Sequence, residues 1–145
     1  MYLVDSNVWL ELFLDQERSE EVDQFLQIVK ADQLWITEFT IYSIGIIMTR
    51  LNKNDIFKDF LSDVLEDSEA KRVCLSINDL KRAIQVGQEF RLDFDDSYQY
   101  VAAEKNGLCL VSFDADFDRT EIGRKTPSEI LVIESKIDPS SRIHQ

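Results

Sequence analysis

The sequence predicts an α/β fold with a central parallel sheet flanked by helices, and three observations carry that reading. Short apolar runs, at residues 2–4 and 108–112, alternate with longer segments whose apolar residues recur at helical spacing. Both runs lead into carboxylates, Asp5 after the first and Asp114 after the second. The connections are short, and the chain contains only four Gly and two Pro, which suits strands and helices wound alternately around one sheet.

Taken in order, Tyr2, Leu3 and Val4 form a buried strand, and Ser6 caps a helix carrying Val8, Trp9, Leu12 and Phe13. Val22, Phe25, Leu26 and Val29 mark a second helix, with Glu20 and Glu21 near its positive end. Residues 40–51 are apolar almost all round, which predicts a helix that is buried or covered by a partner chain. Asn54 or Asp55 caps the next helix, which carries Ile56, Phe57, Phe60, Leu61 and Leu65. Residues 73–76 read as a strand, Asn78 as the cap of a helix running to Phe90, and Asp95 as the cap of one ending near Asn106. Gly107 stops that helix before the strand at 108–112, and residues 130–133 close the chain as a last strand.

A chain of 145 residues buries on the order of two-thirds of the surface its unfolded form exposes. No linker-like tract or repeat divides it, so one domain is expected over residues 1–135, with a tail at 136–145. No apolar stretch approaches the roughly 20 residues of a membrane span, and no basic, apolar leader opens the chain. A cytoplasmic protein with no membrane contact is the expectation. Cys74 and Cys109 lie in apolar runs, where a thiol acts as a small hydrophobe. The net charge of −12 excludes a broad basic surface and with it strong non-specific nucleic-acid binding. It does not exclude a nuclease, because bound cations neutralise an acidic site locally.

Chemistry concentrates at Asp114, Asp116 and Asp118, three alternating carboxylates past one strand, with Asp95 and Asp96 at a helix start and Asp5 past another strand. Carboxylates beyond the ends of parallel strands share one crevice. Crowded together they repel one another unless a proton or cation intervenes, and hard oxygen ligands suit Mg²⁺ or Mn²⁺. Each residue also has a plainer reading. Asp5 serves as well for a helix cap, Asp95 reads as a cap, and Asp114 and Asp116 suit an Asx turn. Asn7 offers an amide to orient a ligand carboxylate, and Arg119, Arg124 and Lys125 flank the acids as candidate phosphate contacts or a solvated loop. Trp9, Tyr98 and Tyr100 read as core or interface aromatics.

An EF-hand reading of 114–125 fails because Arg119 stands where its Gly belongs and Lys125 where its Glu belongs. A phosphorylated-aspartate reading fails because too little chain follows Asp114 to complete such a fold.

Asp5-Ser-Asn7, the stretch from Phe94-Asp-Asp96-Ser to Asn-Gly107, and Leu110-Val-Ser-Phe-Asp114-Ala-Asp116-Phe resemble the first, third and fourth motifs of the PIN-domain nucleases. Residues 123–131 are similar to that family's last loop and strand. The resemblance implies metal-dependent endoribonuclease activity with Asp5, Asp96, Asp114 and Asp116 holding Mg²⁺ or Mn²⁺. Small members of this kind are VapC-like toxins, which further implies RNA as substrate and a cognate antitoxin as partner. One position departs from the pattern: Ser43 stands where the family carries a Glu after its second motif. Glu38 or Asp95 is then the acid left to compensate, and a catalytically weak binding or regulatory domain is the alternative function. The apolar residues from Phe39 to Met48 add the expectation of a homodimer, with Gly45 admitting the partner's backbone.

Overall fold

The structure, a computed structural model, describes residues 1–137. The strand β1 (Tyr2–Val4) leads to α1 (Ser6–Phe13) and α2 (Ser19–Ile28), then to β2 (Leu34–Thr37), α3 (Glu38–Arg50) and α4 (Asn54–Phe60). After β3 (Lys71–Val73) come α5 (Ile77–Phe90), α6 (Phe94–Asn106), β4 (Cys109–Val111) and α7 (Pro127–Ile137). The expected tail at 136–145 lies, from residue 138 onward, outside the described residues.

All four strands are parallel, in the order β3-β2-β1-β4. Tyr2 sits opposite Leu34 on one side and Cys109 on the other. Lys125 extends the β4 edge with a single parallel bridge to Val111. The chain leaves β1 toward β2 and later returns to the other side of β1 as β4, so the winding direction reverses between β1 and β4. In open α/β sheets a crevice forms at such a switch, beyond the carboxyl ends of the strands.

Alternation along each strand divides the core in two. Val4, Ile36 and Val111 pack with Trp9, Phe25, Ile44, Met48 and Phe60 under the helices α1 to α4 and α7. Leu3 and Leu110 point the other way, to Val86, Tyr100, Ala103 and Phe117 under α5 and α6. Burying each large apolar side chain stabilises the fold by about 1.5–3 kcal/mol, so both sheet faces need their helices. Trp9, Tyr98 and Tyr100 are all core residues. Among the described residues, no helix is long and apolar enough to cross a membrane.

Several elements differ from the sequence reading. Residues 130–133 are helical within α7. Thr126 and Glu129 exchange bonds at its start, Thr126 N to Glu129 Oε1 at 3.1 Å and Glu129 N to Thr126 Oγ1 at 3.4 Å, a capping box with Pro127 just inside the helix. The strand Leu34–Thr37 was not anticipated, and β3 begins two residues before the expected 73. Caps fall earlier than expected: Asp5 caps α1 in place of Ser6, Ser76 caps α5 in a capping box with Asp79, and Asp93 precedes α6 in place of Asp95. Cys74 is exposed, while Cys109 is partly buried. On α3, Ile41, Ile44 and Met48 are core, but Tyr42 and Ile46 stand 57% and 51% exposed, so the apolar belt is split between interior and surface. Gly45 admits a ring of the same chain, because a Cβ there would lie 2.9 Å from Phe57.

Gly107 ends α6 at φ 64°, and nothing lies within 4 Å of a Cβ placed on it. Gly107→Ala therefore adds backbone strain without a clash. The expected cost is about 1 kcal/mol, a drop in melting temperature of about 2–4 °C by calorimetry; an unchanged melting temperature would show that the helix end relaxes.

Candidate metal centre

The first site residue is buried and held by several donors. Asp5 follows β1 directly, is 4% exposed, and accepts hydrogen bonds on both carboxylate oxygens. Ser6 N donates to Oδ1 at 2.8 Å and Gln99 Nε2 to the same oxygen at 3.0 Å. Ser112 Oγ donates to Oδ2 at 2.7 Å, and Asn7 Nδ2 reaches that oxygen at 3.3 Å. Burial pushes the carboxyl above its ordinary range and Asp114 adds to the rise, while the Ser112, Gln99 and Ser6 donors oppose it. The residue is thus a helix cap and a wall of the crevice together.

Behind Asp5 lies a buried polar chain. Gln99 of α6 is 2% exposed, and besides Asp5 its Nε2 donates to Thr40 Oγ1 at 2.7 Å. Thr37 Oγ1 donates to Gln99 Oε1 at 2.7 Å. This network joins the end of β2, the start of α3, α6 and β1. Sequence reasoning passed over Gln99, Ser112, Thr37 and Thr40. A signal was present, since Gln99 stands three residues after Asp96 on the same helix face, within an otherwise apolar stretch. A polar residue so placed must find partners inside the core.

The parallel strand ends bring Asp5, Asp95, Asp96 and Asp114 to one cavity of about 190 Å³, together with Asn7 and Gln99. Asp96, Asp114 and Asp116 each offer an oxygen within 4.8 Å of the others. A cation bonded at roughly 2.0–2.6 Å holds its oxygens no more than roughly 5 Å apart, so these three fit one divalent ion. Asp5 lines the cavity without joining that closest group, its oxygens being engaged by donors. Burial and the neighbouring Asp114 carboxylate push Asp96 up to about 8, with smaller contributions from Asp5 and Asp95. Such a cluster is complete with either a proton or a cation.

Asp114 is held in place as well as clustered. Its N–H donates to Ser112 Oγ at 3.0 Å, and its Oδ1 accepts from Asp116 N at 2.9 Å, so the Asx turn and the acid cluster coexist. Asn7 bonds Asp5 through its amide and accepts from Phe113 N at 3.2 Å, linking α1 to the β4 end. Arg119 spends three donors within the fold, on Asp116 at 2.9 Å and on the carbonyls of Phe90 and Arg91 that end α5. Arg124 grips Asp118 through two nitrogens and donates to Ser112 O. Glu38 pairs with Arg72 at 2.7 Å and does not line the cavity, whereas Asp95 does. Ser43 is not among the residues that line the acidic cavity.

The fold and site define an α/β domain with a carboxylate-lined crevice at the switch point of its sheet. The PIN domain model matches residues 2–123, and the chain belongs to the PIN domain family. A chain of a toxin–antitoxin complex from Klebsiella pneumoniae shares the fold with a TM-score of 0.71 at 21% identity, over 88% of this chain and 98% of that one. FitAcB from Neisseria gonorrhoeae superimposes with a TM-score of 0.70 at 16% identity, over 88% and 99% of the two chains. The Mycobacterium tuberculosis toxin VapC20, which cleaves the sarcin–ricin loop, gives a TM-score of 0.68 at 15% identity, over 81% and 93%. A search of curated protein sequences finds no match.

Because folding raises the Asp96 pKa from 3.8 to about 8, its neutral form stabilises the fold fully below pH 4. That contribution is lost as pH rises through about 8. In chelator, the wild-type melting temperature is expected to fall from pH 6 to pH 9 more steeply than that of Asp96→Asn. Parallel curves for the two proteins would show that Asp96 does not share its charge with the cluster.

Proposed function

We infer that the protein is a divalent-metal-dependent ribonuclease and the toxin of a toxin–antitoxin pair. The observation that carries this reading is the convergence of Asp96, Asp114 and Asp116 to within 4.8 Å at the switch-point crevice. Those three residues would hold Mg²⁺ or Mn²⁺, with Asp5 beside them. An ion held there supplies Lewis acidity toward the scissile phosphate and activates water for its hydrolysis.

The chain's own residues do the rest. Asp96, protonated in the empty cluster, would have to release that proton to join Asp114 and Asp116 as a ligand. Gln99 and Ser112 hold Asp5 so that its charge stays fixed at the cavity wall, as outer-shell partners do at metal sites. Asn7 keeps the backbone before Asp114 in register with Asp5. Without a cation the same carboxylates repel a phosphate, so activity depends strictly on metal. Asp95, which lines the cavity, is the acid placed to offset the Glu absent at position 43. Arg119 makes three bonds within the fold and keeps two guanidinium N–H groups at the edge of the cluster for a substrate phosphate.

Support for an antitoxin partner comes from the shared fold with the Klebsiella pneumoniae complex. The exposed Tyr42 and Ile46, one turn apart on α3, are the apolar strip assigned to a homodimer. The free thiols Cys74 and Cys109 fit a cytoplasmic setting.

Asp96→Asn and Asp114→Asn keep side-chain shape while removing charge. Each is expected to lower RNA cleavage in Mg²⁺ or Mn²⁺ by at least about 10²-fold while the protein stays folded. A wild-type chain that folds and binds Mn²⁺ but cleaves no RNA would favour the binding or regulatory alternative.

A further inference from the structure

A groove of about 310 Å³ adjoins the acidic cavity, and Asn7 and Leu10 line both. Its size is at the lower end of small-molecule sites. The helices α1 and α3 give it an apolar floor, Phe113 stands at one side, and Glu11, Gln16 and Arg18 form the polar margin. The Arg18 guanidinium lies 4.1 Å from the centre of the Phe113 ring. Glu21 fixes that guanidinium through bonds of 2.8 and 3.1 Å to Nε and Nη2. Phe113 is in turn fixed to the acid cluster, standing between Ser112 and Asp114 with its N–H on Asn7 Oδ1.

Unpaired RNA bases are recognised by stacking on aromatic rings and arginine planes, with their edges hydrogen-bonded by side chains. The groove holds each of these parts. Glu11 uses Oε1 to accept from Arg18 N at 2.8 Å, and its other oxygen has no hydrogen-bond partner among the described residues. A carboxylate oxygen of that kind accepts from an exocyclic amino group. Resting on the ribonuclease reading above, we propose that the groove takes the nucleobase next to the scissile phosphate. The base stacks on the Arg18–Phe113 pair while Gln16 and Glu11 read its edge, which favours the amino-bearing bases over uracil.

The test is fluorescence anisotropy with a labelled single-stranded RNA octamer, Ca²⁺ replacing Mg²⁺, and a series in which one nucleotide at a time is abasic. One abasic position is expected to weaken binding about tenfold or more. Arg18→Lys, which keeps charge but loses the plane, and Glu11→Gln are expected to weaken binding of the intact octamer. Neither should weaken binding further when that position is already abasic, and Ca²⁺ affinity by calorimetry should stay at the wild-type value. Equal binding of intact and abasic octamers, or variants that bind RNA as wild type does, would overturn the assignment, as a groove reserved for a protein partner would. So would a wild-type chain that binds no octamer. Base-dependent binding without cleavage in Mn²⁺ would support the groove while removing the nuclease reading.

Discussion

The site depends on one buried carboxylate and the donors that surround it. Asp5 sits at the end of a central strand, where its negative charge is costly to bury. Three elements offset that cost: α1 through Ser6 and Asn7, the β4 end through Ser112, and α6 through Gln99, which itself leans on Thr37 at the end of β2 and Thr40 in α3. Removing any one donor leaves the others strained around an under-satisfied charge. The network therefore sets the geometry of the strand ends, and the more exposed acids inherit their positions from it.

Those acids are arranged at electrostatic cost. Burial, and then the Asp114 carboxylate beside it, keep the Asp96 proton to about pH 8, and Asp116, within 4.8 Å of both, is relieved by its pairing with Arg119. Folding alone gains nothing from such crowding. A divalent cation converts the repulsion into attraction, which makes the strained cluster intelligible as a binding site. With a net charge of −12, the molecule as a whole disfavours the approach of a phosphate unless a cation is bound where it arrives.

Much of this was legible in the residues. Asp5, Asp96 and Asp114 could be placed from strand ends and one helix start, because parallel strands force their carboxyl ends to one edge. The strand Leu34–Thr37 escaped notice because three apolar residues and a threonine, running directly into a helix, carry no periodicity of their own. Residues 130–133 were misassigned for the same reason, although Thr126, Pro127 and Glu129 spell a helix start in full. Gln99 carried a signal in its spacing from Asp96, but its partners did not, because Thr37 and Thr40 lie about sixty positions away. Glu38 looked like a substitute acid until β3 supplied Arg72 as its partner, a contact that only the tertiary structure reveals.

The most direct test of the account is anomalous diffraction from crystals grown with Mn²⁺. The account predicts an ion bonded to Asp96, Asp114 and Asp116 at roughly 2.0–2.6 Å, with Asp5 still held by Gln99 and Ser112. Manganese bound elsewhere, or an empty crevice at saturating Mn²⁺ with these carboxylates turned apart, would contradict it.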